Sequence, residues 1–563
     1  MNDELAQRVR AWIARDPEPT DRATLHDLLV RGDEAELARR FAAPLSFGTA
    51  GLRGPEMAGP AGMNRATVRR ATQGVVAWLG AIGVDVDRGV VVGRDARHGS
   101  EAFNDEVVAV LLGAGVTVYE MPRPLPTPFV AFGVQFLGAA AGIMITASHN
   151  PPGDNGYKLY GPDGAQIVAP HDEIVERGAH VAPECALAGR SSTLHHVVPR
   201  SLFDAYRAHF VERFGVAGGS DLAITYSALH GVGGAPMMEL FTAAGYANVT
   251  PVAEQMAPDG AFPTLALPNP EEPGALDLAI ATADQVGSSL VLANDPDADR
   301  LGVAVRTTDG WRTLRGDEVG WLLASTLLDG ARSPGDVVAT SLVSSTMLGA
   351  MARAANVRCV TTLTGFKWIA RAAGEGTLRF GYEEALGYAV DPLVADKDGL
   401  SAALALAQLA HQLRARGQSV LDRLDEIESR YGVHAGDQIA LRDDEPGGAQ
   451  RIATTLAAVL RSPPSSLGPL AVTGVHDLAR GWRGLWATDG VLLELGETGR
   501  VVVRPSGTEA KLKGYLEIVR APTAERSLSA ERESARKLLA DVRRDLAVLL
   551  RLAMIGEGEA APT

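Results

Sequence analysis

Three times along the chain the same alternation of apolar and polar stretches recurs. A short apolar run is followed by a polar turn, an amphipathic stretch with helical spacing, a single Gly or Asn, and a second apolar run. The copies are GVVVGRDARHGSEAFNDEVVAVLLGAGVTVYEMP from Gly89, LAITYSALHGVGGAPMMELFTAAGYANVTPV from Leu222 and DVVATSLVSSTMLGAMARAANVRCVTTLTG from Asp336. Each predicts a strand–helix–strand unit. Gly115, Gly245 and Asn356 fall where the helix must stop, at the left-handed position that only Gly or Asn adopts cheaply. After about residue 440 the pattern changes: RIATTLAAVL and RESARKLLADVRRDLAVLLRL read as helices, with GVLLEL and RVVVRP as strands between them. This predicts a smaller α+β domain. The first 40 residues read as a helical N-terminal extension and the tail IGEGEAAPT as a frayed end.

A length of 563 residues exceeds what one hydrophobic core supports. Together with the repeats it predicts an α/β protein of four domains. They are residues 1–212, the extension and first α/β domain; 213–325, the second; 326–440, the third; and 441–563, the α+β domain. Apolar residues at 46% and charged residues at 21% match a folded enzyme, not a disordered chain. The net charge of −15 argues against nucleic acid or an anionic membrane as partner. The opening MNDELAQRVRAWIARDPEP has no apolar leader core, and the run LGAAAGIMITA is too short to span a bilayer, so a cytoplasmic protein is expected. Cys185 and Cys359 cannot form a disulfide framework and are expected in the core.

An acidic chain that binds an anion needs local cations. Arg53, Lys158, Arg300, Lys397 and Arg504 all lie beside glycines or in short polar loops. In LVLANDPDADRLGV an apolar strand ends in Asp295, Asp297 and Asp299, alternately spaced and followed by Arg300. An EF-hand would need Gly and Glu where Arg300 and Arg306 stand. The carboxylates instead suit a hard cation such as Mg2+ with a further oxygen from a phosphate; the alternative is a solvated acidic turn. RPSGTEAKLK, residues 504–513, offers an Arg, two hydroxyls, a Gly and two lysines, an inventory for a phosphate dianion or for an ordinary hairpin turn. In TASHNPP, residues 146–152, Ser148 and His149 leave the apolar run GAAAGIMI. A serine hydrolase is disfavoured, since G-x-S-x-G is absent here. A phosphoserine would supply the cation's missing oxygen and carry about −2 charge among the basic residues. A simple turn before Pro151 and Pro152 is the remaining reading.

Together these stretches resemble the α-D-phosphohexomutases, the phosphoglucomutase and phosphomannomutase family. TASHNPPGDNGYKLY looks like its phosphoserine loop, DPDADRLG its metal loop, GYEEALGY its sugar-recognition loop and RPSGTEAKLK its phosphate-binding loop, in the family's order. The resemblance implies three related α/β domains of mixed sheet around a cleft, and a more mobile fourth domain like the TATA-binding-protein fold. It implies phosphorylation of Ser148, with Asp295, Asp297 and Asp299 joining Ser148 around Mg2+, and glucose 1,6-bisphosphate or a related sugar bisphosphate as activator. His149 and Lys158 would assist proton transfer, Lys397 would do so on the other side, and Arg53 and Arg300 would stabilise the transferring phosphoryl group. Thr364, Gly365 and Glu383 would meet the sugar, and Arg504, Ser506, Gly507 and Thr508 the phosphate that is not reacting.

The implied activity is interconversion of hexose 1-phosphate and 6-phosphate, of glucose or mannose, by a monomer or homodimer that binds small sugar phosphates. Many family members read Glu-x-Ser in the sugar loop, where this chain has Glu383, Glu384 and Ala385. A missing hydroxyl can relax or shift sugar preference. The GTAGLRG and DPDADR stretches resemble the longer branch of the family, which includes phosphoglucomutases, some phosphomannomutases and phosphopentomutases, so a phosphopentomutase, acting on ribose or deoxyribose 1-phosphate, is the alternative. A metal-dependent phosphatase would not need a loop for a second phosphate, and a silent sugar-phosphate sensor would be expected to lack Ser148 or an aspartate.

Overall fold

The repeats fold as the parallel pairs expected of them. The structure, a computed structural model, describes residues 3–47, 51–181, 186–329, 333–443, 447–506, 511–522 and 526–555. Strand Val90–Arg94 leads through helix Ser100–Gly113 to the parallel strand Val118–Glu120. Strand Ile224–Ser227 leads through helix Gly234–Ala243 to Val249–Pro251, and strand Asp336–Ser341 through helix Met347–Ala354 to Arg358–Thr362, both again parallel. The stops have the expected left-handed backbone, with φ of 77° at Gly115, 90° at Gly245 and 54° at Asn356.

The chain forms two compact units: one runs to Val319 and takes in Arg379–Gln412, and the other comprises Gly320–Leu378 and the chain from Leu413. In the first, the N-terminal extension is three helices, Asp3–Ile13, Pro19–Arg31 and Glu34–Arg40, closed over Leu5, Val9, Leu25, Leu28 and Phe41. A six-stranded mixed sheet follows, in the order Leu52–Pro55, Asp154–Tyr160, Ala141–Ile145, Val90–Arg94, Val118–Glu120, His195–Val197. A five-stranded mixed sheet is ordered Gly310–Thr313, Gly302–Thr307, Leu290–Ala293, Ile224–Ser227, Val249–Pro251. Strands Ala141–Ile145 and Leu290–Ala293 are buried along their whole length, so their first polar residues emerge at their carboxyl ends. Open α/β sheets place ligands outside that end.

The second unit ends in an antiparallel sheet ordered Val433–Arg442, Lys511–Arg520, Gly499–Pro505, Val491–Glu494, Gly474–Asp477. Helices Gly448–Arg461 and Leu528–Ile555 cover it over a core that includes Val491, Leu493, Val503, Leu512 and Leu546. The expected α+β domain is therefore present. Its two longest strands carry weaker signals, since Gly436, Asp437, Lys513 and Gly514 interrupt their apolar alternation. Cys359 departs from the expectation of a core residue. It is half-buried, on a strand that exposes Arg358 and Thr361, and burial pushes its thiol up to about 11; Cys185 lies outside the described residues. Among the described residues no helix is long and apolar enough to cross a membrane.

Within this unit one buried carboxylate joins two elements. Glu517 accepts from the Ser345 hydroxyl and the Thr346 amide, both at 2.7 Å, ahead of helix Met347–Ala354. It also accepts from Arg500 Nε at 3.0 Å and lies 3.1 Å from His434 Nδ1. Burial opposes its charge, but Arg500 and the hydrogen bonds outweigh burial and hold the carboxyl well below the usual range. A group so depressed contributes stability above its unfolded pKa and loses it as pH falls through the folded value. Glu517→Gln is expected to cost about 3 kcal/mol. In urea melts the deficit should stay constant from about pH 8 to pH 5 and shrink only below about pH 4.

Candidate active site

Strand Leu290–Ala293 delivers Asn294 to Arg300 as a loop held from several sides. Asn294 Nδ2 donates to Arg300 O at 2.6 Å, the Arg300 amide to Asp295 Oδ1 at 3.0 Å, and the Ala298 amide to Asp295 O at 2.8 Å. From outside the loop, Thr127 donates its amide to Asp297 O at 2.9 Å and its hydroxyl to Asp297 Oδ2 at 2.6 Å. Gly231 must be glycine, because a Cβ there would lie 2.4 Å from Pro296 Cα. Asp295, Asp297 and Asp299 are fully buried as a result, each offering an oxygen within 4.8 Å of the others.

Three carboxylates this close cannot be left uncompensated. Lys158 Nζ, itself fully buried, lies 2.6 Å from both Asp297 Oδ2 and Asp299 Oδ2, and Lys397 Nζ lies 2.7 Å from Asp299 Oδ2. Burial pushes all three carboxyls up. At Asp297 and Asp299 the lysines outweigh burial and hold both below the usual range. Asp295 has no lysine, and burial with repulsion from Asp297 and Asp299 pushes it up to about 8. The other oxygens, Asp297 Oδ1 and Asp299 Oδ1, are buried without a hydrogen-bond partner among the described residues. Buried oxygens with idle lone pairs fit an oxygen-ligated cation.

Ser148 meets this cluster from the neighbouring sheet. Strand Ala141–Ile145 ends, Thr146 Oγ1 accepts from the Ser148 amide at 2.9 Å, and Ser148 turns left-handed with φ 53°. Such a conformation costs a non-glycine residue about 1 kcal/mol or more. It directs Ser148 Oγ to donate to Asp295 Oδ2 at 2.6 Å, with His149 Nδ1 at 3.3 Å. Burial, then the charges of Arg300 and Arg53, hold the His149 imidazole neutral.

The strained turn is secured by Arg97, which the sequence reading passed over. Its guanidinium donates to four loop carbonyls: Ser148 O at 2.7 Å, Asn150 O at 2.6 Å, Pro151 O at 2.7 Å and Asp154 O at 3.0 Å. Asp95, 3.3 Å away, balances its charge, and the Phe262 ring lies 5.1 Å from it. The available signal was the RDAR run closing an apolar strand, which sets Asp95 between Arg94 and Arg97 at the edge of a core.

Arg53, on strand Leu52–Pro55 opposite Gly156, and Arg300 complete the group. The Nε atoms of both are buried with no acceptor among the described residues, as a bound anion would require. Burial lowers the Arg53 pKa against the opposing pull of Asp297 and Asp299. Glu383, on strand Thr377–Glu383, is near enough for its charge to act on Arg300. Ser148, His149, Lys158, Asp295, Asp297, Asp299, Arg53, Arg300 and Lys397 thus form one site. Thr364, Gly365, Arg504 and Ser506 belong to the second unit, where Gly365 has φ 108° and the Ser506 amide donates to Lys511 O at 2.7 Å. Gly507 and Thr508 lie outside the described residues.

Comparison with known sequences matches phosphoglucomutase/phosphomannomutase alpha/beta/alpha domain I at residues 44–182, domain II at 204–310, domain III at 315–431 and the C-terminal domain at 468–534. The chain belongs to the phosphoglucomutase/phosphomannomutase family. It is 38% identical to a Haemophilus influenzae protein named "Probable phosphomannomutase", over 81% of this chain and 93% of that one. It is 34% identical to the Mus musculus "Phosphopentomutase", over 93% of this chain and 91% of that one. A phosphoglucomutase/phosphomannomutase family protein from Burkholderia thailandensis shares the fold, with a TM-score of 0.68 at 21% identity over 91% of this chain and 98% of that one. As a member of this family the chain is a phosphosugar mutase, an intramolecular phosphotransferase.

Two predictions come from this geometry. Lysine cannot reproduce the four-carbonyl grip of Arg97. Arg97→Lys should lower kcat about 100-fold through misplacement of Ser148, with KM little changed and the circular dichroism spectrum intact. In metal-free enzyme the raised Asp295 loses stability as pH climbs from its unfolded pKa of about 4 toward its folded value of about 8. Asp295→Asn should therefore melt higher than the parent protein in EDTA, by a margin that widens from pH 5 to pH 8, while losing metal-dependent activity.

Proposed function

We propose that the enzyme interconverts hexose 1-phosphate and hexose 6-phosphate, of glucose and mannose, through a phosphoserine at Ser148 and a bound 1,6-bisphosphate. The observation that supports this most is the 2.6 Å hydrogen bond from Ser148 Oγ to Asp295, beside buried carboxylate oxygens that lack donors among the described residues. Asp295, Asp297 and Asp299, with an oxygen at Ser148, would hold Mg2+, which when bound neutralises charge on phosphoryl oxygens. Arg53 and Arg300 would turn their idle Nε–H groups to the same oxygens.

In the first transfer the bond from Ser148 Oγ to phosphorus breaks and one from a sugar hydroxyl to phosphorus forms. The hydroxyl proton passes to a neighbouring base, and Ser148 regains one. His149, neutral and 3.3 Å from Oγ, can accept and return a proton, with Lys158 and Lys397 serving the same exchange. After the bisphosphate turns around, Ser148 takes the other phosphoryl group. Retaining the intermediate keeps the second transfer effectively intramolecular, an advantage of up to about 7–11 kcal/mol. Thr364, Gly365 and Glu383 would hold the sugar, Arg504, Ser506, Gly507 and Thr508 its distal phosphate, and trace glucose 1,6-bisphosphate would charge Ser148.

A pentose substrate is the second reading. It is favoured by Ala385, which supplies no hydroxyl where many members have Ser, and by the near full-length similarity to the mouse phosphopentomutase. The test follows glucose, mannose and ribose 1-phosphates side by side, with Mg2+ and a trace of glucose 1,6-bisphosphate. The highest kcat/KM is expected for a hexose; a clear lead for ribose would establish the second reading. Ser148→Ala should abolish turnover of every sugar, and near-normal rates in that variant would sink the covalent route.

A further inference from the structure

The guanidinium of Arg97 commits both Nη atoms to the turn that carries Ser148: Nη1 donates to Pro151 O and Asp154 O, and Nη2 to Ser148 O and Asn150 O. The side chain is fully buried. The rest of its charge is met by Asp95, 3.3 Å from Nε, and by the ring of Phe262, whose centroid lies 5.1 Å from Cζ. A polar acceptor in place of that ring would compete for N–H groups already in use. The negative face of an aromatic ring stabilises the cation and offers those groups no lone pair. Phe262 is itself buried, and it reaches this position with a left-handed backbone, φ 47°. Such a conformation in a bulky residue persists only where its surroundings impose it.

Those surroundings are tied to the aspartate loop. The segment after strand Ile224–Ser227 holds that loop through the Val232 amide, which donates to Pro296 O at 2.8 Å. In the same segment His230 O accepts from the Asp259 amide at 2.9 Å. Thr264 Oγ1 lies 2.8 Å from His230 Nε2 and accepts from Gln255 Nε2 at 2.9 Å. Residues 259–264, which carry Phe262, are therefore fixed at both ends, and the Phe262 amide closes a turn between them onto Asp259 O at 3.1 Å. At Gly260 this turn presses on the loop after strand Val90–Arg94 so closely that a Cβ would lie 2.8 Å from Ala96 O and 3.0 Å from Arg97 Cα. One backbone segment thus holds the aspartates on one side and, through Phe262 and Arg97, the Ser148 turn on the other. We propose that Phe262 is a positioning residue for phosphoryl transfer: it keeps Arg97 in the four-carbonyl geometry that sets Ser148 Oγ against Asp295. This role for Phe262 rests on the mutase reading for Ser148 as the phosphoryl carrier.

The experiment replaces Phe262 in the full-length enzyme with Leu, and separately with mono-, di- and trifluorophenylalanine, which keep the shape of the ring while draining negative charge from its face. Both kcat and KM for glucose 1-phosphate are measured, together with hydrogen exchange of a peptide spanning residues 146–154. In Phe262→Leu, kcat should fall about tenfold or more with KM within about twofold, as loss of a desolvated cation–π contact and misplacement of Ser148 require. The peptide should exchange faster by a similar factor, while strands Val90–Arg94 and Leu290–Ala293 keep their protection. Along the fluorinated series both effects should grow with each fluorine, a gradation that packing of a ring of nearly constant size does not produce. Normal kcat with unchanged exchange in Phe262→Leu would overturn this role, and so would a flat response to fluorination. Should the Leu variant fail to fold, the fluorinated rings decide. Hydrogen exchange is read without turnover, so failure of the hold on the turn is distinct from failure of the covalent route, which Ser148→Ala reports.

Discussion

Repulsion among Asp295, Asp297 and Asp299 is the constraint around which the first unit is built. Three buried carboxylates within 4.8 Å of one another are tolerable only if cations and fixed donors surround them, and the fold brings those from distant segments. Lys158 comes from one sheet, Lys397 from the returning segment Arg379–Gln412, and Thr127 from the start of a helix. Asp295 lacks a lysine and lies against Ser148. The least compensated carboxyl is thus the one in contact with the Ser148 hydroxyl, and there a divalent cation would relieve the most repulsion.

Holding the loops that carry this charge requires local strain and tight backbone approach. Ser148 and Ala298 both adopt left-handed backbone, with φ of 53° and 55°, and neither is glycine. Arg97 fastens the first turn through carbonyls, and Gly231 lets the backbone of the second press close. These contacts form only once the sheets are complete. The precision of the site is therefore a property of the assembled unit, and no single motif carries it.

What could be read from the sequence follows from where each signal resides. The three strand–helix–strand units were legible because burial, helical spacing and a left-handed stop repeat in one order at Gly115, Gly245 and Asn356. The convergence of the aspartates was legible because alternate acids end a wholly apolar strand. Arg97 was not, since a residue that binds carbonyl oxygens meets groups every residue possesses. The hydrogen bond from Tyr206 to Asp398 was equally hidden, joining positions 192 residues apart. The strands Val433–Arg442 and Lys511–Arg520 were missed because glycines and charges break their alternation, and Cys359 proved half-buried because its strand faces solvent on one side.

In the proposed mechanism Ser148 carries the phosphoryl group between two positions of one sugar. The direct test is to charge Ser148 from 32P-labelled glucose 1,6-bisphosphate, confirm the position by peptide mass, remove the sugar, and mix the labelled enzyme with unlabelled glucose 1-phosphate and Mg2+ for a single turnover. Label should leave Ser148, appear in glucose 1,6-bisphosphate and end in glucose 6-phosphate. Label that remains on Ser148 while unlabelled glucose 6-phosphate accumulates, or that emerges as inorganic phosphate, would contradict it.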